Sequence, residues 1–512
     1  MDLSALPYIS RQSKYRAFGR LLRKDWAMLL DSGSSIEQSN GSKAESYRRY
    51  DILVYQPSVR LTFDKGNTTV EKWVEDEFED ELIHTNSKDQ SPLQIMRELL
   101  SQYAEFYSDE SFEQSKQSKQ SEHAVAELPF NGGWIGYISY DFGLHQELYN
   151  DQEQLNKLAD SPKVAEIKMG LYQWALITDH RQETTKIYNF GLDATTFSFL
   201  IQTIKKEVDR SDNEPSNTDK NKNGFELACK FQSNITAEDY AKGFNKIQDY
   251  ITAGDCYQVN FAQQFRAKFS GCSFEVYQIL AEANNAPFSA YLNFASQQIM
   301  SHSPERFIES HQGLIKTQPI KGTRPRNKDP ILDSELAKEL TNSDKDKAEN
   351  LMIVDLLRND LSKTASKGSV QVTELFGLYH FESVHHLIST VTSKLKTGLD
   401  NFDLLSTTLP GGSITGAPKI RAMQIIDELE DFERGIYCGV IGYLDFKRNM
   451  DTNICIRTLL VENETLYCCA GGGIVSDSKL QLEYQETFDK LNKILPVLEQ
   501  FYKPEQEFDV SG

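Results

Sequence analysis

The chain has 512 residues, 39% of them hydrophobic, enough for two ordinary domains or one large layered one. Its formal charge of −20 argues against a nucleic-acid partner or an anionic membrane surface, and means that an anionic substrate would need a local source of positive charge. The seven cysteines have no Cys-x-x-Cys spacing, no leader-like stretch opens the chain, and no apolar run reaches the roughly 18 residues of a membrane span. A reduced, soluble, cytoplasmic protein is the expectation.

In chain order, 52–55 and 171–177 read as strands, and two polar stretches, 108–123 and 209–224, read as loops. The second loop divides an N-terminal region, 1–224, from a motif-dense region, 225–512. A helix is predicted over 236–253, opened by Thr236 as cap with Glu238 and Asp239 behind it. Another is predicted over 346–361, with an apolar stripe through Leu351, Val354 and Leu361. Strands follow at 439–446 and 453–461, then a last helix at 482–501. Helices and strands do not alternate as regular βαβ units, so the expected class is α+β: large antiparallel sheets packed as a sandwich and flanked by helices.

The chemistry-bearing residues are concentrated after residue 225. Lys321 lies in Pro-Ile-Lys-Gly-Thr-Arg, sixteen residues after Glu305 in Ser-Pro-Glu-Arg-Phe. An amine able to attack carbon and a carboxyl able to protonate a leaving oxygen suggest covalent catalysis; a surface ion pair would use the same two residues. Glu349 opens the 346–361 helix, where the helix dipole favours a carboxylate. Glu483 and Glu486 are three apart, so on a helix they project within about 60° of each other. Three acids of this kind suit a hard, oxygen-seeking cation such as magnesium, although a Glu-x-x-Glu pair alone also describes a solvated face. The glycines at 471–473 and the loop 410–419 offer bare backbone to an anion. Neither is a Walker loop nor a dinucleotide-binding turn.

Taken together, these strings resemble the chorismate-utilising enzymes, and within them the aminodeoxychorismate branch. The match runs from about residue 28 to 498 and includes Asp-Cys-Tyr-Gln-Val-Asn at 255–260, the strings around Glu305 and Lys321, and Val-Asp-Leu-Leu-Arg-Asn-Asp at 354–360. It continues through 412–423, 451–458 and 483–487. In this family the slot of Lys321 usually holds alanine in anthranilate synthases, and the slot of Gln258 holds a water-activating lysine in isochorismate-type enzymes. Lys321 with Gln258 therefore implies amination of chorismate at C4, giving 4-amino-4-deoxychorismate on the route to p-aminobenzoate and folate. Anthranilate formation and a catalytically silent chorismate-binding subunit are the alternatives.

The resemblance further implies roles for individual residues. Lys321 is the nucleophile and Glu305 the general acid. Glu349 and Glu486 are magnesium ligands, with Glu483 near them or acting through water. Gln258, Thr323, His386, Ser413, Tyr437, Arg457 and Gly473 are substrate-pocket positions. Asp31 and Ser32, with Pro287 and Phe288, match strings that form a tryptophan pocket in relatives. No Cys-His-Glu glutaminase signature is present, so a separate glutamine amidotransferase subunit is the expected ammonia source, in a heterodimer.

Overall fold

The computed structural model describes residues 3–33, 48–74, 77–83, 90–111, 128–148, 162–213, 224–381 and 384–503. Among them, two antiparallel sheets of thirteen and twelve strands form the frame. Ile52, Ile135, Ile177, Ile299, Ile308, Val391 and Leu460, drawn from both sheets, pack into one core cluster between them. The outer face of the larger sheet is covered by the helices Lys14–Phe18, Ala194–Asn213 and Ser273–Asn284. Helices Ala237–Ala253 and Lys419–Leu429 cover one end of that sheet. The α+β sandwich expected from the sequence is the architecture found. Strands from either side of residue 224 enter both sheets.

Two apolar runs that read as single strands are each two strands in different sheets. Residues 171–177 divide at Gln173 into the ends of Ile167–Tyr172 and Trp174–Asp179. Gln173 holds the corner, accepting from the Ser58 hydroxyl at 2.7 Å and donating to the Gly191 carbonyl at 3.1 Å. Beyond it, Ala175 and Ile177 face the core between the sheets while Trp174 and Leu176 face the helices. With both faces buried, the run stays apolar through the switch and hides it from a pattern reading. Residues 453–461 behave likewise: Met450–Asn453 belongs to the smaller sheet and Thr458–Glu462 to the larger. The crossing residues are 454–457, of which Ile454 and Cys455 are buried in the core between the sheets.

The helices match their sequence signals, with three corrections. Thr236 caps Ala237–Ala253 through the Asp239 amide, as expected. The helix Asp344–Ser362 starts two residues earlier than predicted, with Ser343 as cap, and buries Asn350, Ile353, Leu357 and Leu361, whereas Leu351 is 47% exposed. The long last helix is broken: Leu480–Asp489 ends in a turn before the short Leu495–Leu498. The two expected loops begin inside helices, Pro92–Ser111 and Ala194–Asn213; 112–123 and 214–223 lie outside the described residues. No described helix is long and apolar enough to cross a membrane.

Candidate active site

Lys321 stands in the strand Ile320–Pro325, whose pairing with Val384–Lys394 slips between Ile320 and Thr323. Two residues, Lys321 and Gly322, oppose one, and such a bulge re-aims a side chain. Gly322 is required there: its φ is +85°, and a Cβ would come within 3.0 Å of both Leu340 and Asp346. The Lys321 ammonium donates to one carbonyl, that of Ser413, at 3.3 Å. Burial lowers its pKa and Lys490 adds to the effect, while Glu305, Glu349 and Glu486 pull upward without restoring the usual value. A desolvated amine without a close carboxylate partner is a stronger nucleophile than a surface lysine.

Glu305, 8% exposed, immediately precedes the strand Arg306–His311. Burial pushes its carboxyl up to about 7, against the opposing pull of Lys321, the Ile320 amide, Lys490 and the Ser413 hydroxyl. A carboxyl still protonated near neutrality can give a proton to a departing oxygen. Ser413 thus stands beside both candidate side chains: its carbonyl accepts from Lys321, and its hydroxyl is near enough to Glu305 to lower its pKa.

The three other acids flank this pair. Asn350 ties the helix Asp344–Ser362 to the sheet by donating to the Leu387 carbonyl and accepting from the Ser389 hydroxyl, which positions neighbouring Glu349. Glu483 is buried and accepts from the Ser478 hydroxyl at 2.6 Å. A Cβ at Gly472 would lie 3.1 Å from Glu483 Oε2 and 3.4 Å from Glu486 Oε1, so both carboxylates close over this glycine. Burial raises the pKa of Glu349 and of Glu483, and the Glu486 charge adds to it in both. Burial acts upward on Glu486 too, but Lys490, Lys321 and Lys345 outweigh it and leave its pKa lowered. Lys490 bridges Glu486 and the Gly471 carbonyl, both at 2.7 Å. The all-oxygen donor set fits a hard divalent cation in its chemistry. As placed, no three such ligands among the described residues surround one point, so a cation would have to draw the carboxylates together and displace Lys490.

One further cation of the predicted set is unpaired among the described residues. Arg457 closes the crossing between the sheets with its backbone left-handed, φ +52°, a conformation uncommon for a side-chain-bearing residue and frequent at functional sites. Its guanidinium has no hydrogen bond or ion pair among the described residues, and burial alone lowers its pKa. Burial and the Arg457 charge lower the pKa of His386 to about 4, and its ring shares a hydrogen with the Thr323 hydroxyl at 2.8 Å. The Gln258 side chain lies where a Cβ of Gly473 would be, 2.7 Å from its amide nitrogen. Tyr437 is buried beside Arg434, whose guanidinium is 5.7 Å from the ring.

Pattern reading missed the buried pair that locks this arrangement. Arg434 donates to both Glu430 oxygens at 2.8 and 2.7 Å, to the Ile414 carbonyl at 3.0 Å and to the Asn260 carbonyl at 2.9 Å. It clamps the Ser413 loop to the strand carrying Gln258. The i,i+4 spacing of Glu430 and Arg434, and of Glu486 and Lys490, was the available signal.

The four tryptophan-pocket candidates lie apart from this site. Asp31, Ser32, Pro287 and Phe288 line a cavity of about 470 Å³ between the sheets, together with Arg306, Tyr443 and Asp451. The Asp31 carboxylate is already occupied: it accepts from Lys14, from the Tyr15 and Tyr277 hydroxyls, each at 2.7 Å, and from the Gly33 amide. It is therefore not a free ligand for an amine.

The sequence model of the chorismate binding enzyme family matches residues 59–496. Aminodeoxychorismate synthase component 1 of Escherichia coli (strain K12) is 43% identical over 484 residues, covering 94% of this chain and 95% of that one. Anthranilate synthase component 1 of Pseudomonas aeruginosa is 42% identical over 383 residues, covering 72% and 75%. The crystal structure of anthranilate synthase component I from Streptococcus pneumoniae TIGR4 superimposes with a TM-score of 0.69 at 30% identity, over 89% of this chain and 93% of that one.

Proposed function

Because the chain belongs to the chorismate binding enzyme family, we propose that it aminates chorismate at C4 through a covalent bond to Lys321. The observation that carries this reading is the pairing of a half-buried amine of lowered pKa with a buried carboxyl whose pKa is about 7, both beside Ser413. Three relatives that match over more than nine-tenths of this chain are named aminodeoxychorismate synthase component 1.

Chorismate is a dianion. Arg457, unpaired and largely buried, supplies a counter-charge for the enolpyruvyl carboxylate, with Tyr437 and Gly473 beside it. At the acidic pole, Glu349, Glu483 and Glu486 would hold magnesium, which when bound offsets the charge of the ring carboxylate. Neutral Lys321 attacks C2, the two ring double bonds shift, and the C4–O bond breaks as Glu305 gives its proton to the departing hydroxyl, releasing water. Ammonia then forms the C4–N bond, the double bonds shift back, and the C2–N bond to Lys321 breaks. The surplus proton of the new ammonium restores Glu305. Two successive displacements leave the configuration at C4 unchanged.

We place ammonia supply with a glutaminase subunit, the reaction in the cytoplasm, and its product on the route to p-aminobenzoate and folate. All seven cysteines are free, in keeping with a reducing compartment. The 470 Å³ cavity has room for tryptophan, with Phe288 under the Arg306 guanidinium at 5.0 Å as an aromatic wall. Absence of heat on tryptophan titration would remove that assignment.

Anthranilate formation is the competing reading, favoured by the structural neighbour. Incubation with chorismate, magnesium and ammonia, followed by chromatography, separates the two: 4-amino-4-deoxychorismate is expected, and fluorescent anthranilate as the main product would overturn the proposal.

A further inference from the structure

Asn260 lies two residues beyond Gln258 on the strand Gln258–Ser270, so alternation turns both side chains to the same face. The opposite face is occupied by packing: Val259 and Phe261 join Tyr240, Phe244 and Ile247 in a cluster, with the Phe261 and Tyr240 rings 5.0 Å apart. Across the ladder Asn260 is in register with Gly473, the glycine over which Gln258 extends. Its backbone is pinned on both sides, the amide donating to the Thr415 carbonyl at 2.7 Å and the carbonyl accepting from Arg434 at 2.9 Å. The backbone of Asn260 is thereby fixed by the same clamp that holds the Ser413 loop.

The Asn260 side chain is 8% exposed, and its carboxamide oxygen is shut off from solvent with no hydrogen-bond donor in reach among the described residues. Such an orphan is destabilising and uncommon in folded proteins, so it calls for a partner absent from the free chain. Gln258 and Gly473, the neighbours of Asn260 in this row, are positions that the proposed function gives to the substrate, which makes the missing donor part of the substrate.

Resting on the assignment of chorismate as substrate, we infer that Asn260 is a further substrate-positioning residue whose carboxamide oxygen accepts a hydrogen bond from the group on C4. At neutral pH chorismate presents two carboxylates, an ether oxygen and apolar carbon, all of them acceptors or inert. Its single donor is the C4 hydroxyl. In the product a C4 amine stands in its place and donates as well. The orphan acceptor thus matches the one donor that reactant and product share, at the carbon where the C–O bond breaks and the C–N bond forms. An acceptor there fixes the rotation of the hydroxyl and leaves its lone pairs open to the proton of Glu305.

The test is a titration of the full chain carrying Lys321→Ala, with magnesium and without a nitrogen donor, against chorismate and against its analogue lacking the C4 hydroxyl. Adding Asn260→Val or Asn260→Ala should weaken chorismate about fivefold, the scale of one neutral hydrogen bond, and leave the analogue within about twofold. The thermal transition of the Asn260→Val chain should stand at or above that of its parent, since an unpaired buried polar group has been removed. Equal weakening of both ligands, or no change in either, would overturn the inference. So would a lowered transition with the discrimination ratio intact, because the carboxamide would then be serving the fold. A parent chain that bound chorismate and the analogue equally would remove the role of Asn260 alone. Failure of the parent to bind chorismate would remove the substrate assignment with it.

Discussion

Two lysines shielded from water by this fold have opposite surroundings. Lys14 is fully buried, yet its ammonium meets Asp31, Asp51 at 3.1 Å and the Gly33 carbonyl at 2.8 Å. Asp51 is in turn bonded to His180 and Ser32; burial acts upward on its pKa, but the Lys14 and His180 charges hold it far below the carboxylate range. Every charge in that network has an opposite. Lys321 has one carbonyl at 3.3 Å, and the Arg457 guanidinium has no hydrogen bond or ion pair among the described residues. A paired buried charge ties elements of the fold together, while an unpaired one is held ready for an outside partner. Burial alone does not separate structure from chemistry. The completeness of the partner set does.

The largest effects should come from breaking each side of this contrast. Lys321→Ala should lower amination about 10²- to 10⁴-fold, the span of positioned proton-transfer and nucleophilic groups, while chorismate affinity by calorimetry changes little. Lys14→Met should do the reverse, destabilising the fold by about 3–5 kcal/mol in denaturant titration because it strands two buried carboxylates, with the rate per folded molecule preserved. Arg434→Lys keeps the charge but cannot span Glu430, Ile414 and Asn260 together. About a tenfold loss of kcat, larger than any change in KM, is expected from a displaced Ser413 loop. A wild-type kcat would show that the clamp serves stability alone.

A pH test sharpens the contrast further. The Glu305 carboxyl has a folded pKa of about 7, above its unfolded value, so between about pH 4.5 and 7 the folded chain binds the extra proton. Stability contributed by this group is therefore present at acid pH and is lost as pH rises through 7. Glu305→Gln, neutral at all pH, should match wild type in thermal melting at pH 5 and exceed it at pH 8. The same ionisation should end wild-type activity on the alkaline side, and the variant should lose that limb. The smallest effect is expected at the acidic pole: Glu349→Gln should weaken magnesium binding, read by calorimetry without substrate, and leave melting nearly unchanged. Unaltered affinity would remove Glu349 from the ligand set.

The candidate pair was legible because its residue types and short strings themselves suggest the chemistry. Lys321 next to a glycine and Glu305 after Ser-Pro pointed to the same reaction that the geometry supports. The fold class followed from the lack of βαβ alternation, but the sheet switches at Gln173 and 454–457 did not show. A strand buried on both faces is apolar throughout, so a chain that crosses from one sheet to the next leaves little mark in the pattern. That limit bears on the proposed function, since the second crossing carries Arg457. The tryptophan strings share a cavity, and the partners of Asp31 there, Lys14, Tyr15 and Tyr277, come from other segments. Which carboxylate is already satisfied is a tertiary property that local sequence does not carry.

The most direct measurement is the mass of the intact chain after mixing with chorismate and magnesium in the absence of ammonia. A species heavier by one chorismate less one water, mapped by digestion to the peptide containing Lys321 and discharged by added ammonia, is the expected result. Rapid amination with no such species at any time, together with full activity of the Lys321→Ala chain, would contradict the covalent route.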